Sequence, residues 1–444
     1  MIDRQTKAIL LELLNYSTHK KHKLFVVGGT LRDHLLSKDI GDIDLTGINA
    51  AGLGIQFSKF LNFSHVPLDK TPGRATTRII LPQQKHFDLT DMQGNRLEED
   101  LLKRDFTINA MGQDLSDFLI NRKTIIDLCE GKEDLNKKLI RVTSADAFKA
   151  DPLRMLRAFR FAATLNFSID PETLKGISLF KENITSIAGE RVWAELVSFF
   201  KADNTWELIN SMKGSGLFYS MFPISFQDWK KVLAQYRRLE HLIANPVKYF
   251  PKHTPILTGA TLLKLSMLLK ELESNPLIDN IEKNDYGIPK TFEILKGLKA
   301  SNSEIGFICK SIQSLHFLSK SLSCSENDVS RYDLCAKGGE QLVSGALLHA
   351  CTLPFPGDPG AIESENLNSH SKLLEFYFTR YLPVINEKPL LNGNDIIARF
   401  NVSPSPTVGE ILKKIQRAQV LGEIKTSAEA EKLAANILNS KTKN

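Results

Sequence analysis

The sequence predicts a mixed α/β domain at the N-terminus followed by an all-helical remainder. From residue 24 to about residue 141, short apolar runs rich in β-branched residues alternate with helically spaced segments, which is typical of an α/β domain. From about residue 145 nearly to the end, apolar residues keep helical spacing, and no strand is expected there. Because 444 residues are too many for one hydrophobic core, we expect two to four domains.

The α/β domain is organised around a glycine turn. Residues 24–27 predict a buried strand, the pair Gly28 and Gly29 ends it, and residues 30–37 have helical spacing. A glycine turn that opens a helix presents N–H groups and the positive end of the helix dipole to an anion. Gly29 is therefore a candidate phosphate ligand, and Arg32 supplies a cation for phosphate or sugar oxygens one turn into the helix.

Two carboxylates follow this helix. Asp42 and Asp44 lie two residues apart on the next predicted strand, so their side chains point to the same face. Such a pair suits Mg²⁺, which binds few protein oxygens and takes substrate phosphates as further ligands. A phosphate-binding turn beside metal-binding carboxylates can perform phosphoryl or nucleotidyl transfer. Taken singly, each motif has a structural alternative, since most glycine turns only reverse the chain and most Asp-x-Asp pairs are solvated or cap a helix.

A predicted hairpin brings a third acid towards this pair. Its strands are residues 78–81 and 86–90, joined through residues 82–85. If these strands lie beside the strand that carries the two aspartates, Asp88 joins the site. The alternative is a structural role at the end of the sheet.

A helix predicted over residues 97–102 leads into Arg104 and Asp105, within the sequence KRDFTINAM. Taken from the spacing alone, Arg104 forms a surface ion pair with Asp100 or Asp105, which would contribute little to stability. A nucleotide-binding role for Arg104 is the other interpretation.

A second group of charged residues lies on a helix predicted over residues 151–165. Asp151, Arg154 and Arg157 step by three, so they lie close together on one slowly winding face. Arg160 lies about half a turn further round from the aspartate, and we expect it to face either RNA phosphate or a neighbouring carboxylate. Because a proline follows Asp151, this residue is also a good helix N-cap.

These segments, together with GERVWAEL at residues 189–196, resemble the class II (bacterial-type) tRNA nucleotidyltransferase and poly(A) polymerase family in content and order. The resemblance covers roughly residues 20–220, about half of the chain. It implies a nucleotidyltransferase head with a mixed sheet like that of DNA polymerase β, followed by an all-α neck, body and tail. The expected domains are the head at 1–145, the nucleotide-recognition neck at 146–215, the body at 216–350 and the tRNA-binding tail at 351–444.

The resemblance also implies roles for the candidate residues. Asp42 and Asp44 are the catalytic pair that holds magnesium. The expected nucleotide-binding residues are Gly29 and Arg32 at the triphosphate and sugar, Arg104 as a clamp with Asp105 and Asn109 nearby, Asp151 and Arg154 at the base, and Arg157 and Arg160 beside them. A carboxylate accepts from the exocyclic amine of cytosine or adenine, whereas guanine and uracil present a carbonyl there and leave a buried group unpaired.

Two departures from the family pattern leave the order of nucleotide addition open. Ala150 stands where many members have Glu before the base-reading aspartate. The stretch from residue 44 to 104 also lacks the long insertion that the family links to the change of nucleotide during addition. Addition of CCA, of CC alone or of A alone is therefore compatible with the sequence.

The C-terminal half offers fewer motifs. Many relatives carry a metal-dependent phosphohydrolase domain with an adjacent His-Asp pair, whereas His241 and His253 have no neighbouring Asp, so we expect no such activity in the body. In the tail, residues 406–418 predict a helix that carries Lys413, Lys414 and Arg417. A basic helix suits a phosphate-contacting surface, and a merely solvated face is the alternative.

Bulk properties narrow the class of protein. The net charge of +6 is compatible with a polyanionic partner but is mild for this length. Five scattered cysteines, odd in number, predict reduced thiols and a cytoplasmic protein. No apolar run reaches the length of a membrane span, so no membrane partner is expected. The sequence does not address the oligomeric state.

The sequence therefore predicts an enzyme that adds C and/or A to the 3′ end of tRNA without a template, from CTP and ATP, with magnesium and release of pyrophosphate. The nearest alternative is a poly(A) polymerase that extends RNA 3′ ends. An inactive RNA-binding relative would lack a metal carboxylate, and both are present. A small-molecule nucleotidyltransferase would need neither the helix at 151–165 nor the long helical remainder.

Overall fold

The structure, a computed structural model, describes residues 2–224, 226–250, 259–272, 288–322, 327–353 and 367–441. The chain divides into two compact units, Met1–Pro223 and Ile224–Asn444. A mixed sheet lies in the first unit and the described part of the second is helical, which confirms the predicted fold class.

A seven-stranded sheet forms the centre of the first unit, in the order β3-β4-β5-β2-β1-β6-β7. β2 and β5 run parallel, whereas the other neighbours are antiparallel. The strands are β1 (Phe25–Val27), β2 (Asp42–Gly47), β3 (His65–Asp69), β4 (Thr76–Ile80), β5 (His86–Asp91), β6 (Met111–Asp114) and β7 (Ile126–Asp127).

The register of two strands brings acidic residues together. β4 and β5 form the predicted hairpin, joined through a short 3-10 helix at Pro82–Gln84. β5 then pairs in parallel with β2, with Asp44 opposite Asp88. Ile43 and Leu45, which alternate with Asp42 and Asp44 along β2, are buried in the hydrophobic core, because successive side chains of a strand alternate between its faces. These two central strands therefore carry acids on one face of the sheet and apolar side chains on the buried face.

Helices cover the sheet and continue beyond it in the first unit. They are α1 (Arg4–His19), α2 (Gly28–Leu35), α3 (Ala50–Phe60), α4 (Leu97–Leu102), α5 (Leu115–Leu119), α6 (Gly131–Lys137), α7 (Ala147–Ala150), α8 (Leu153–Leu165), α9 (Pro171–Phe180), α10 (Gly189–Phe200), α11 (Trp206–Gly214) and α12 (Leu217–Met221), with further 3-10 turns at Thr107–Asn109 and Lys181–Ser186.

One strand lies where the sequence predicted none. β8 (Leu139–Ile140) pairs in parallel with β9 (Ser168–Ile169), which follows α8. The expectation of no strand after residue 145 was wrong at this point. A strand of two residues is too short to leave a period in the sequence, so only the tertiary pairing reveals it.

The described part of the second unit consists of helices. They are α13 (Trp229–Ala244), α14 (Pro246–Tyr249), α15 (Ala260–Leu269), α16 (Pro289–Gly297), α17 (Asn302–Ser321), α18 (Asp328–Gly338), α19 (Leu342–Thr352), α20 (Asn368–Phe376), α21 (Leu382–Asn386), α22 (Gly393–Phe400), α23 (Pro406–Val420) and α24 (Ser427–Lys441), with 3-10 turns at Lys270–Leu272 and Gly339–Gln341 and a π-helical turn at Tyr377–Tyr381. His253 lies outside the described residues. Over the described ranges, every helix is too short or too polar to cross a membrane.

The last three helices share their own apolar core. Ile396 of α22, Ile411 and Ile415 of α23 and Ala434 of α24 are buried together. Lys413 and Lys414 lie on the exposed side of α23. The apolar residues at helical spacing thus fix which face of this helix carries its charge.

Candidate active site

The glycine turn brings the backbone of α2 against a carboxylate of β2. Gly28 has a positive φ of 64°, which favours glycine. A Cβ placed on it would lie 3.2 Å from Oδ2 of Asp44 and 3.3 Å from Nη1 of Arg104. The N–H of Gly29 donates to Oδ2 of Asp44 at 3.0 Å. The anion that this turn meets in the structure is therefore a side chain of the protein itself.

A threonine joins the same helix to the same strand. The Thr30 hydroxyl donates to the carbonyl oxygen of Asp42 at 3.2 Å and accepts from the N–H of Asp44 at 2.6 Å. This contact was not predicted from the sequence. The available signal was a hydroxyl in the first turn of a helix, a position where such side chains commonly bond to backbone groups.

The two predicted metal ligands lie on one face of β2 but in different surroundings. The side chain of Asp42 is 54% exposed, and its Oδ2 lies 3.0 Å from Nε2 of His86. Asp44 is largely enclosed. Burial raises the pKa of Asp44 and the charge of Asp88 adds to the rise, while Arg104 opposes it. A carboxylate of this kind is stabilised in its charged form by a cation.

Asp88, the third acid, is already paired. Its carboxylate accepts from Nε and Nη2 of Arg78 at 2.8 and 2.7 Å. It lies beside Asp44 across the parallel strands, so it contributes negative charge but its oxygens are engaged.

The donor set fits a hard divalent cation. Asp42 and Asp44 supply carboxylate oxygens on one face, and magnesium characteristically binds one or two protein carboxylates together with substrate phosphates. Among the described residues, no group of three or more His, Cys, Asp or Glu side chains is arranged to hold a metal ion by itself. The protein donors thus fit a site that substrate oxygens complete.

Arg32 lies at the turn but is held by protein groups. Its Nε and Nη2 donate to the two carboxylate oxygens of Asp33 at 2.8 and 2.9 Å. Its Nη1 donates to Oδ1 of Asn109 at 2.9 Å. Only 9% of the residue is exposed. With three of its five N–H donors committed in this way, the guanidinium braces the turn against the segment that contains Asn109.

A cleft of about 410 Å³ lies next to these groups in the first unit. It is lined by Thr90, Gln93, Asp100, Lys103, Arg104, Asp105, Asp151, Arg154 and Arg157. The structure thus brings together four of the predicted nucleotide-binding residues, from the loop after α4 and from the start of α8. Arg104 reaches both places, because it lines the cleft and its Nη1 approaches Gly28.

The contacts of Arg104 differ from the surface ion pair considered above. Its Nε donates to Oδ2 of Asp100 at 3.0 Å, and its Nη2 lies 2.9 Å from the same oxygen in an ion pair. The Asp100 side chain is only 4% exposed, so this is a buried pair rather than a surface one. Asp100 was one of the two partners considered for Arg104 from the sequence, but the pair is buried instead of lying at the surface.

Asp105 ties the loop to α8. Its Oδ2 accepts from Nη2 and Nε of Arg157 at 2.7 and 3.1 Å. Its Oδ1 accepts from Nδ2 of Asn109 at 3.1 Å and from the N–H of Phe106 at 2.9 Å. Burial by itself would raise the pKa of Asp105, but Arg157 and these hydrogen bonds bring it below its usual value. The carboxylate is therefore a stable anion that orients Arg157.

The two predicted base-reading side chains lie at the start of α8. Oδ1 of Asp151 accepts from the N–H of Leu153 at 3.2 Å, which is the capping contact of the structural alternative. Its Oδ2 accepts from Nη2 of Arg191, on α10, also at 3.2 Å. Arg154 donates from Nη2 to the carbonyl oxygen of Lys103 at 2.8 Å. Both side chains line the cleft, so capping and exposure to a ligand coexist at Asp151.

Arg160 lies apart from the cleft. Its Nε donates to Oε2 of Glu195, on α10, at 2.5 Å. Of the two partners expected for it, the structure therefore shows the neighbouring carboxylate, and the side chain packs α8 onto α10 instead of lining the cleft.

Thr90 and Gln93 line the cleft and were not predicted. Thr90 lies two residues after Asp88 on β5, so alternation along the strand puts it on the same face as the acids. That signal was present in the sequence. Gln93 lies in the turn after the strand, where no periodicity applies.

Three family models match this chain. The Poly A polymerase head domain matches residues 24–141, which carry the turn, the acids and Arg104. The tRNA nucleotidyltransferase domain 2 matches residues 287–433. A model described as "Probable RNA and SrmB-binding site of polymerase A" matches residues 166–227.

Curated tRNA nucleotidyltransferases and a solved structure of a CCA-adding enzyme are similar to this chain. A CC-adding tRNA nucleotidyltransferase of Geobacter sulfurreducens is 26% identical over 95% of this chain and 94% of its own length. A second CC-adding enzyme, from Shouchella clausii, is 35% identical over 48% of this chain and 54% of its own length. The structure of a Thermotoga maritima CCA-adding enzyme complexed with tRNA matches with a TM-score of 0.71 and 22% identity, over 99% of this chain and 96% of that one.

The family models follow one another along the chain in the order head, RNA-binding segment and C-terminal domain. The family models and the relatives together support assignment of the chain to the bacterial-type (class II) tRNA nucleotidyltransferase and poly(A) polymerase family.

Proposed function

We propose that this protein adds C and/or A nucleotides to the 3′ end of tRNA, without a nucleic-acid template, from CTP and ATP and with release of pyrophosphate. The observation that carries the proposal is the position of Arg104, which reaches from the Asp44 carboxylate to the cleft that Asp151 and Arg154 line. One nucleotide can thus contact the acids with its phosphates and the α8 residues with its base. Given the cysteine pattern, we expect the enzyme to act in the cytoplasm.

Asp42 and Asp44 would hold magnesium at the triphosphate. When bound, magnesium supplies Lewis-acid stabilisation of the α-phosphate and lowers the pKa of the attacking 3′-hydroxyl. Gly28 permits the close approach of α2 to this point, and Arg104 offers Nη1 to phosphate oxygens. Because all these groups are fixed before the nucleotide arrives, little reorganisation is needed during the reaction.

Asp151 and Arg154 would read the base. A carboxylate oxygen of Asp151 accepts from the exocyclic amine of cytosine or adenine, and Arg154 donates to the ring acceptors. Arg154 donates to the Lys103 carbonyl oxygen in the structure, which supports a guanidinium held at the wall of the cleft. Arg157, paired with Asp105, is better suited to orient this wall than to contact the base itself.

The length of one connection supports an enzyme that adds only one kind of nucleotide. β3 ends at Asp69 and β4 begins at Thr76, so their turn is short, whereas the family links a long insertion in this region to the change of nucleotide. Ala150 also removes the Glu that many members carry before the base-reading aspartate. The relatives described above include CC-adding and CCA-adding enzymes, and we favour the CC programme for this chain.

The test is extension of defined RNAs followed by sequencing of their 3′ ends. The purified protein is incubated with CTP and ATP and with tRNAs that lack A, CA or CCA, and with an unrelated RNA. We expect CC on the tRNA that lacks CCA and no product on the tRNA that lacks only A. Complete CCA on the first substrate would contradict the CC programme. Long A tails on the unrelated RNA would instead identify a poly(A) polymerase.

A further inference from the structure

The Arg104 side chain is bound by the carboxylate of Asp100, which has no role in the reaction proposed above. Asp100 lies on α4, between the buried side chains of Leu97 and Leu101, and only 3% of the residue is exposed. A carboxylate so removed from water must be compensated by charge and hydrogen bonds. The structure supplies these from two directions.

Both oxygens of Asp100 are engaged. Oδ2 accepts from Nε of Arg104 at 3.0 Å and lies 2.9 Å from Nη2 of the same guanidinium in an ion pair. Oδ1 accepts from the N–H of Gln93 at 3.0 Å. The Arg104 backbone is also fixed, since its carbonyl oxygen accepts from the Thr143 hydroxyl at 2.5 Å. The carboxylate therefore sits in one orientation, and so does the guanidinium that it binds.

This arrangement decides which edge of the guanidinium faces the site. The group is planar and rigid, so binding through Nε and Nη2 turns Nη1 in the opposite direction. Nη1 indeed lies 3.3 Å from a Cβ placed on Gly28, a position that also borders Oδ2 of Asp44. Without Asp100, the cation would be drawn towards Asp44, whose Oδ2 borders the same position, and would compete there with a metal ion.

We propose that Asp100 is a positioning residue that holds Arg104 in the orientation that binds the nucleotide triphosphate. The proposal rests on the proposed function, because it assumes that this site takes a nucleotide. Asp100 needs no contact with the substrate. Its effect passes through the hydrogen bond and the ion pair to Arg104.

The experiment is a double-mutant cycle read out by equilibrium binding of CTP. We expect Asp100→Asn to weaken CTP binding by about 10- to 100-fold, since small displacements of a positioned group have effects of this order. In an Arg104→Ala background, Asp100→Asn should change CTP affinity less than about twofold, because residues that act through one another are not additive. Affinity for tRNA should stay unchanged in both backgrounds.

A matched control separates positioning from folding. Asp134 is also fully buried and paired, with Arg141 at 2.8 Å and the Thr107 hydroxyl at 2.6 Å. Asp134→Asn should lower the melting temperature as much as Asp100→Asn while CTP affinity stays at the wild-type value. If Asp100→Asn does not fold, Asp100→Glu keeps the charge and displaces the guanidinium, and it should still weaken CTP binding.

The outcomes are distinct. CTP affinity at the wild-type level in the folded Asp100 variant, or an equal loss with and without Arg104, would overturn the positioning role. If wild-type protein itself fails to bind CTP, the proposed function is wrong and this inference falls with it.

Discussion

Asp44 has a fixed orientation and an incompletely compensated charge, a combination that a purely structural aspartate does not need. Its carboxylate accepts from the N–H of Gly29, and its own N–H donates to the Thr30 hydroxyl. Burial nevertheless raises its pKa, so the surrounding protein does not fully compensate its charge. A residue so firmly oriented and so incompletely neutralised is suited to bind a cation.

Asp42→Asn and Asp44→Asn should each lower nucleotide incorporation by about 1000-fold or more, since a catalytic metal ion contributes several kcal/mol to transition-state stabilisation. Affinity for tRNA should remain near that of the wild type, because neither residue belongs to the helical regions that we expect to contact RNA. Single-turnover extension and a filter-binding assay measure the two quantities.

Asp69→Asn, at the end of β3, is a suitable control for these variants because it removes an acid from the same sheet outside the site. Incorporation at the control rate by either Asp42→Asn or Asp44→Asn would refute the metal assignment.

Asp151→Ala should relax the choice of base. The loss of the carboxylate removes the acceptor for the exocyclic amine, so incorporation of UTP relative to CTP should rise by about 10-fold, in line with 1–3 kcal/mol for a lost buried hydrogen bond. Competition between labelled nucleotides measures this ratio. Loss of the capping contact to Leu153 should lower the stability of the protein by about 1 kcal/mol. A lower melting temperature with an unchanged CTP to UTP ratio would leave Asp151 with the capping role alone.

The sequence predicted the identity of the candidate site residues better than it predicted the contacts that hold them in place. Local patterns sufficed for the turn, the two acids of β2 and the step of three on α8, because periodicity and turn chemistry depend on neighbours in sequence. The partners of those residues could not be predicted. Arg157 and Asp105 are 52 positions apart, and Arg160 and Glu195 are 35 apart, so only the packing of α8 brings them into contact.

At the scale of elements, α8 is the component that sets one wall of the cleft. It is attached to the KRDFTINAM segment by Arg157 and Asp105. It is attached to α10 by Arg160 and Glu195. The ring of Phe161 lies 5.4 Å from the guanidinium carbons of both Arg32 and Arg157. Side-chain contacts therefore connect α8 to the glycine turn, although the two segments are far apart in the sequence.

Asp105→Asn should loosen this attachment, and its effect should depend on pH. Removing one partner of a fully buried ion pair costs about 3–5 kcal/mol; with the Arg157 side chain 34% exposed, we expect about 2 kcal/mol. Because the pKa of Asp105 is lowered in the folded state, its contribution is present above the unfolded-state pKa and is lost as pH falls through the folded-state value.

Urea unfolding of wild type and Asp105→Asn between neutral and acidic pH measures this dependence. The difference in unfolding free energy should be constant at neutral pH and should shrink below about pH 4, near the ordinary value for an aspartate. Asp117→Asn removes the partner of Arg122, whose side chain is 63% exposed, and serves as a control for which little effect is expected. A difference that stays constant into acid would contradict an ionised Asp105.

The fold itself was predicted where elements are long or strongly patterned. The hairpin of β4 and β5, the helix α4 and the change to helices after the head follow from local periodicity. The short parallel pair of β8 and β9 did not, because it exists only through the return of the chain after α8. Burial of Asp100 was likewise invisible in sequence, since it depends on packing of α4 against the sheet.

At the scale of the whole molecule, RNA binding should depend steeply on salt. A protein that neutralises several phosphates releases counterions, so the logarithm of the association constant falls linearly with the logarithm of salt concentration. Replacing both Lys413 and Lys414, which are exposed on α23, by Gln should make this slope shallower by about 2, about 1 for each lost phosphate contact. Fluorescence anisotropy with labelled tRNA measures the slope.

Lys175→Gln removes a surface lysine that pairs with Glu172 in the first unit, and its slope should equal that of the wild type. An unchanged slope in the α23 variant would exclude this helix face from the RNA interface.

The most direct measurement of the central claim is a crystal structure of this protein with magnesium and a non-hydrolysable analogue of CTP. We predict the triphosphate between the Asp42 and Asp44 carboxylates and Nη1 of Arg104, with the cytosine amine facing Asp151 in the cleft. A nucleotide bound elsewhere, or one whose base lies out of reach of Asp151 and Arg154, would contradict the account.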